Sequence, residues 1–212
     1  MEPRHRIAVV GIGPGPREWL APAAEEAIRS ADLLVGGRRH LEEYAGNKPA
    51  VLLDRDLDRA FRDMERARRV AVLASGDPGL YGILGRLREY FGPGSLQVFP
   101  GISAFQMAFA RACLPWHSAL LLSLHGREHR LGEYLDAVED ALEARHPVAV
   151  LTGQGLGPQV LARALLKRGF SSHRFLVGEN LGYPEERVME GTVRELSSVA
   201  QPWEPAVVVV IP

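Results

Sequence analysis

The stretch VLASGDPGLYG at residues 72–82 decides the fold that this sequence predicts. An apolar run typical of a buried strand ends in the turn SGDP at 75–78, and a helical pattern follows it. Two further apolar runs end in comparable turns, GIGPGP at 11–16 and FPGISA at 99–104. Ligands of α/β proteins bind beyond the carboxyl ends of the strands, so the three turns together predict a site for a small ligand.

The composition of the chain restricts the class of protein that carries such a site. The chain has 212 residues, 46% hydrophobic and 24% charged, which are ordinary values for a globular protein of one large or two small domains. A net charge of −1 gives no general attraction to nucleic acid or to membranes, and no apolar run approaches the roughly 20 residues of a membrane span. The lone cysteine, Cys113, and the lack of a signal-peptide pattern favour a cytoplasmic location.

Apolar runs alternate with helical patterns along the chain, which predicts an α/β fold with parallel or mixed sheets covered on both faces. Pro115 interrupts the alternation, so we place a domain joint there, between an N-terminal domain at 1–114 and a C-terminal domain at 118–212. The predicted strands are 6–12, 32–36, 50–53, 70–75, 96–99, 119–124, 147–152, 174–179, 187–190 and 206–211. The predicted helices are 22–30, 56–68, 80–89, 103–112, 131–144, 158–168 and 192–198.

The first glycine turn does not fit a dinucleotide-binding site. The Rossmann fingerprint needs a third glycine at position 16 and a helix that opens at once, but Pro16 stands there and Pro22 indicates a later helix. A phosphate-binding Gly-Lys-Ser/Thr sequence is also absent from this turn. In the second turn Gly76 permits close backbone approach, and Asp77 either caps the next helix or contacts a ligand.

Five segments together resemble the tetrapyrrole methylase family, whose members transfer a methyl group from S-adenosylmethionine. They are GIGPGP at 11–16, ADLLVGGRRHL at 31–41, SGDPGLYG at 75–82, FPGISA at 99–104 and GENLGYPEERVMEGT at 178–192. The resemblance covers nearly the whole chain. Within the family, GGRRHL, SLHGR at 123–127 and GENLGYPEE are similar to the branch that methylates C5 of precorrin-7 or cobalt-precorrin-7 in cobalamin biosynthesis.

The resemblance implies two α/β domains with mixed sheets, the class III methyltransferase fold, and a homodimer that binds S-adenosylmethionine in the cleft between the domains. Many members carry an apolar residue at position 152 and glycine at position 181, so Thr152 and Leu181 suit the site if their backbones make the contacts. Carried over position by position, the implied cofactor contacts are Pro14, Ser75, Gly76, Asp77, Leu80, Ser103, Ala104, Thr152 and Leu181.

The implied substrate is a tetrapyrrole with many carboxylates, and its methylation requires no metal. His125 is the candidate base for the proton that leaves the methylated carbon, with a structural bond to a backbone carbonyl as its alternative role. Guanidinium groups bind carboxylates bidentately, so the candidates for holding the substrate are arginines. They are Arg38, Arg39 and Arg127, of which the first two are equally typical of an exposed helix start.

Other functions stay open at this point. Within the family they are methylation of another corrinoid position or of RNA ribose, and the near-neutral charge disfavours RNA. From other classes they are a non-catalytic cofactor-binding scaffold and an NAD-dependent enzyme, which Pro16 disfavours. Some organisms fuse the C5-methylating domain to a C15-methylating decarboxylase, and here that partner is expected to be a separate chain.

Overall fold

The first five apolar runs form one sheet in the computed structural model of the protein, which describes residues 6–153, 155–203 and 206–212. The strands lie in the order β3-β2-β4-β1-β5, and every pair is parallel. The mixed sheet that the resemblance implies is therefore wrong for this part of the chain, because a helix follows each strand and returns the chain in the same direction. The strands are β1 Arg6–Gly11, β2 Leu33–Gly36, β3 Ala50–Leu52, β4 Arg69–Ala74 and β5 Leu96–Phe99.

Helices pack on both faces of this sheet, which explains why its inner strands are apolar throughout. Successive residues of β1 enter different cores: Val10 packs with Ile28 on one face, and Val9 packs with Phe61 on the other. Five consecutive residues of β4, from Val70 onward, are buried. The helices are α1 Pro22–Ser30, α2 Arg38–Tyr44, α3 Leu57–Glu65 and α4 Leu84–Phe91.

The second sheet has the order β6-β7-β10-β8-β9 and mixes both kinds of pairing. Strand β6 is parallel to β7, whereas β10 is antiparallel to both β7 and β8, and β9 is antiparallel to β8. One of its four strand pairs is parallel and three are antiparallel. The strands are β6 Leu120–Ser123, β7 Val148–Leu151, β8 Arg174–Glu179, β9 Arg187–Thr192 and β10 Val207–Ile211. The helices are α5 Ala104–Arg111, α6 Leu131–Glu143, α7 Pro158–Lys167 and α8 Val193–Ser197.

The chain divides into two compact units, Met1–Ser103 and Ala104–Pro212, each with its own sheet. The joint predicted at residues 114–118 falls within the second unit, after α5, and its role as a domain boundary stays a prediction. Of the helices in the described part of the chain, none combines the length and apolarity that a membrane span requires.

The ten predicted strands are all present within a residue or two, whereas one helix was not predicted and another begins later than predicted. Helix α2 was not predicted, because most of its residues are charged and only His40 and Tyr44 are buried, with Leu41 partly buried against the core. Helix α4 begins at Leu84 and not near residue 80, because Tyr81 has a φ of 56°, outside the helical region.

Glycines allow three neighbouring strands of the first sheet to end in direct backbone contact. A Cβ atom on Gly101 would lie 2.4 Å from the Gly76 carbonyl oxygen and 2.6 Å from the Gly11 carbonyl carbon. A Cβ atom on Gly11 would lie 2.5 Å from the Gly101 nitrogen. These distances are shorter than real Cβ contacts, and the obstructing atoms are backbone. The three turns that the sequence singles out therefore meet at one point.

We expect Gly101→Ala to lower the free energy of unfolding by about 1–3 kcal/mol, because the backbone must shift to admit the methyl group. Urea unfolding followed by circular dichroism measures the change. Gly85→Ala is the matched control, since no atom lies within 4 Å of a Cβ placed there, in helix α4. The free energy of unfolding of the control variant should not fall and should rise by up to about 1 kcal/mol. Equal stabilities of the two variants would show that the three turns are not in tight contact.

Candidate functional site

Four glycine-containing segments lie side by side at the carboxyl edge of the first sheet. They follow β2, β4, β1 and β5, which are neighbours in that order and all parallel. This edge is where ligands of open α/β sheets bind. Within the first unit the structure therefore brings together five of the predicted cofactor contacts, at Pro14, Ser75, Gly76, Asp77 and Ser103. A sixth, Leu80, follows the turn that contains Asp77.

The first loop, at residues 11–16, is fixed to the second loop, at residues 75–82, by backbone hydrogen bonds. The Ile12 amide donates to the Ala74 carbonyl at 3.0 Å, and the Gly13 amide donates to the Gly76 carbonyl at 3.4 Å. Gly13 and the nearby Gly15 have φ of 71° and 96°, values that glycine adopts readily. Helix α1 begins only at residue 22, so its amino terminus does not open directly from β1 as a dinucleotide site requires.

Asp77 holds its own turn and also holds the third loop. One carboxylate oxygen accepts from the Gly79 amide at 2.8 Å, and the other accepts from the Gly101 amide at 3.3 Å. The side chain is half-buried. Helix α4 starts at Leu84, too far along the chain for Asp77 to be its cap. The carboxylate therefore links two of the three loops, a role that the sequence did not predict.

The second loop continues as an irregular turn before α4. The Leu80 amide donates to the Asp77 carbonyl at 3.2 Å, and the Leu84 amide donates to the Pro78 carbonyl at 3.2 Å. Tyr81, with its positive φ, is 42% exposed. A non-glycine residue in this conformation costs of order 1 kcal/mol or more, and such strain clusters at binding sites. Leu80 is half-buried beside it and offers apolar surface.

His40 is a buried residue of the site that sequence reasoning missed. It lies in α2, and its Nε2 is 3.2 Å from the Ser75 hydroxyl in the second loop. Burial lowers the pKa of His40 below its ordinary 6.5, and the Arg39 guanidinium lowers it further, against smaller opposing effects of the Leu73 backbone and the Glu43 carboxylate. The ring is therefore neutral at pH 7. The signal in the sequence was the four-residue spacing of His40 and Tyr44, which places both side chains on the same face of a helix.

The second sheet also gathers its predicted site residues at one edge. Strand β10 runs against both β7 and β8, so β6, β7 and β8 all point the same way. Their carboxyl ends lead into His125, Thr152 and Leu181 respectively. These three positions therefore share the carboxyl edge of the second sheet, within the second unit.

Two of these three side chains are committed to packing. Thr152 is fully buried, and its hydroxyl donates to the Ala206 carbonyl at 3.0 Å and accepts from the Ala206 amide at 2.9 Å. The Thr152 amide also donates to that carbonyl, at 2.8 Å. The Leu181 side chain is buried and packs where a Cβ on Gly178 would be only 2.8 Å away. Any ligand contact at these positions must use the backbone.

The SLHGR segment presents an exposed histidine on a tight turn. His125 is exposed, and Gly126 turns the chain with a φ of 67°. The Arg127 amide donates to the Leu124 carbonyl at 2.8 Å, and its guanidinium donates to the His125 carbonyl at 3.3 Å. Arg127 is half-buried. In the first unit, both arginines that open α2, at 38 and 39, are exposed.

A second carboxylate fixes the loop that carries Leu181. The Glu186 carboxylate accepts from the Gly182 amide at 2.7 Å and from the Arg111 guanidinium at 2.5 and 2.8 Å. The Arg111 bond is the main cause that holds the pKa of Glu186 below its ordinary range. Asn180 enters the loop with a φ of 49°. Sequence reasoning missed this anchor because Arg111 lies 75 residues away along the chain.

The side chains at the two edges also bear on whether a metal could bind. Among the residues that the structure describes, no group of three or more His, Cys, Asp or Glu side chains is placed to hold a metal ion. The polar groups at the edge of the first sheet include backbone amides and carbonyls, the hydroxyls of Ser75 and Ser103, the His40 ring and the Asp77 carboxylate. Such a set suits an organic ligand with both polar and apolar parts.

Comparison with known proteins identifies the relatives of this chain. The family model described as Tetrapyrrole (Corrin/Porphyrin) Methylases matches residues 6–197. The cobalt-precorrin-7 C(5)-methyltransferase of Salmonella typhimurium is 37% identical over 86% of this chain and 88% of its own length. The precorrin-6Y C(5,15)-methyltransferase [decarboxylating] of Sinorhizobium sp. is 34% identical over 86% of this chain but only 44% of its own length.

A solved structure shares the fold. The uroporphyrin-III C-methyltransferase of Thermus thermophilus, complexed with S-adenosylhomocysteine, superposes with a TM-score of 0.73. The match covers 97% of this chain and 91% of the other, at 22% sequence identity. At that identity the likeness establishes the arrangement of strands and helices.

We expect Asp77→Ala to lower the free energy of unfolding by about 1–3 kcal/mol, because the amides of Gly79 and Gly101 both lose a charged acceptor. Asp77→Asn keeps one side-chain oxygen and should fall between wild type and alanine. Urea unfolding of the three proteins tests the order. If alanine unfolds at the same urea concentration as wild type, the carboxylate does not hold the loops together.

Proposed function

This chain belongs to the tetrapyrrole (corrin/porphyrin) methylase family, and we propose that it transfers the methyl group of S-adenosylmethionine to C5 of cobalt-precorrin-7 or precorrin-7 in cobalamin biosynthesis. The substrate assignment rests on the Salmonella relative, which matches over most of both chains. The observation that carries the proposal is the meeting of the three glycine turns at one sheet edge, in a chain with this relative.

The loops of the first unit fit the cofactor. S-adenosylmethionine supplies, when bound, an electrophilic methyl group on a sulfonium sulfur. Pro14 and Leu80 are half-buried and offer apolar surface, while the exposed Ser75 hydroxyl and the Gly76 backbone offer polar contacts. Each Asp77 oxygen already accepts one backbone amide but has a further lone pair for a ligand donor.

The remaining cofactor contacts come from elsewhere in the proposed cleft. Ser103 and Ala104 connect the third loop to α5, and Thr152 and Leu181 contribute backbone groups from the second sheet. We assign all of these residues to the cofactor, as the family resemblance implies. Methyl transfer is an in-line displacement, so the work of these residues is alignment, which can supply about 7–11 kcal/mol of the barrier.

We assign the substrate to the exposed polar segments of both units. Arg38, Arg39 and Arg127 bind peripheral carboxylates, and His125 accepts the proton that C5 loses. The protein acts in the cytoplasm as a homodimer. The name of the Sinorhizobium relative combines methylation at C5 and C15 with decarboxylation, which supports a C15-methylating decarboxylase as a partner here.

Calorimetry and turnover test the proposal. We expect S-adenosylhomocysteine to bind with one molecule per chain, and NAD not to bind. With S-adenosylmethionine and the cobalt or metal-free substrate, mass spectrometry should show the gain of one methyl group, located at C5 by NMR. Binding of NAD in place of S-adenosylhomocysteine at millimolar concentration would reverse the assignment, and methylation at another carbon would change the substrate position alone.

Kinetics of two variants test the substrate site. We expect Arg127→Ala to raise KM for the tetrapyrrole about tenfold without changing cofactor affinity, because a guanidinium–carboxylate bond acts equally in ground and transition states. His125→Ala should instead lower kcat, by about 100-fold if it is the base. Arg86→Ala removes an equally charged surface residue of α4, paired with Glu89, and serves as the control. An unchanged KM in Arg127→Ala would remove this residue from the substrate site.

A further inference from the structure

Helix α2 carries a histidine beneath the second loop. His40 lies in the first turns of α2, directly after β2, and β2 is the neighbour of β4 in the sheet. The residue is only 7% exposed, although the two arginines before it are exposed. Its ring therefore points from the helix toward the sheet, on the side where Ser75 follows β4.

Glycines before the helix leave room for this ring. A Cβ on Gly36 would lie 3.1 Å from the Leu73 Cβ and 3.6 Å from the His40 Cβ, so a side chain there would press between helix and strand. A Cβ on Gly37 would lie 3.8 Å from the His40 Nδ1, in ordinary contact. The close approach of α2 to β4 thus depends on Gly36, and that approach brings His40 within reach of the second loop.

The side-chain hydrogen bond that His40 makes within the described part of the chain goes to the loop, and the Leu73 backbone also acts on the ring. Its Nε2 lies 3.2 Å from the Ser75 Oγ, while the buried Nδ1 has no hydrogen-bond partner among the described residues. A buried polar atom without a partner is unfavourable, and a leucine of similar size would avoid that cost. Packing alone therefore does not explain a histidine at this position, whereas the bond to Ser75 does.

We propose that His40 is a positioning residue of the cofactor site, which fixes the Ser75 hydroxyl so that the second loop receives the cofactor in one orientation. Ser75 is exposed, and a free serine hydroxyl rotates among several directions. The bond to the buried ring selects one of them and leaves the remaining donor or acceptor capacity of Oγ facing outward. This inference rests on the proposed function, since it takes the second loop as the place of S-adenosylmethionine.

Four variants test the proposal: His40→Leu, which fills the space without a polar atom, His40→Gln, which keeps one, Ser75→Ala, and the double variant His40→Leu/Ser75→Ala. Calorimetry with S-adenosylhomocysteine gives Kd, and thermal unfolding gives Tm. We expect His40→Leu and Ser75→Ala each to weaken binding about three- to tenfold, the range of one hydrogen bond. The double variant should lose no more than the worse single variant, because both remove the same bond.

A conservative replacement and a control separate positioning from general packing. His40→Gln should bind within about twofold of wild type, because its amide restores a bond to Ser75. His173→Leu removes a half-buried histidine of the second unit, which also has an unpartnered Nδ1 and packs on Phe170, and should leave Kd unchanged. In turnover, His40→Leu should raise KM for S-adenosylmethionine and leave kcat unchanged.

Several outcomes would overturn the proposal. His40→Leu binding as tightly as wild type would make the histidine a packing residue, as would losses in the two single variants that multiply in the double variant. If His40→Leu does not fold, Ser75→Ala still decides, because wild-type affinity in that variant would show that the hydroxyl does not contact the cofactor. Failure of the wild-type protein itself to bind S-adenosylhomocysteine would overturn the proposed function, and this inference with it.

Discussion

The close contact of three backbones, at Gly11, Gly76 and Gly101, is the constraint on which the rest of the first unit depends. No side chain fits between these residues, so β4, β1 and β5 must end at the same level and turn away together. Because atoms of the peptide groups touch directly, a shift of one loop moves the other two. A ligand bound at this edge therefore meets loops whose relative positions are fixed by covalent geometry and backbone bonds, with little freedom left to side chains.

Both units hold a glycine turn in place with a carboxylate. Asp77 accepts the amides of Gly79 and Gly101, and Glu186 accepts the amide of Gly182 while Arg111 neutralises it. A charged acceptor makes stronger bonds to amides than a neutral one, so each loop is rigid without a hydrophobic core of its own. Rigidity of this kind suits a reaction in which the protein contributes mainly alignment.

The sequence patterns predicted the strands and turns, which neighbouring residues determine. They missed the features that depend on contacts between residues far apart in the chain. The strands were predictable because their apolar runs are continuous, and the turns because glycine and proline mark them. Helix α2 was missed, since its burial depends on a sheet neighbour brought in by folding. The Asp77 bond to Gly101 spans 24 residues, and the Thr152 bond to Ala206 spans 54, so neither role was visible in a local window. The parallel pairing of the first sheet is likewise a property of the whole topology.

The commitment of Thr152 and Leu181 to packing accounts for two departures from the family pattern. The Thr152 hydroxyl hydrogen-bonds to the backbone of Ala206, just before β10, and the Leu181 side chain fills the space above Gly178. Each side chain therefore contributes to the interior of the second unit. If the cofactor is recognised there by backbone groups, these side chains can differ among relatives while the contacts persist. Differences in substrate must then come from exposed side chains outside the loops. The segments GGRRHL and SLHGR fit this description, because Arg38, Arg39 and His125 are exposed and Arg127 is half-buried.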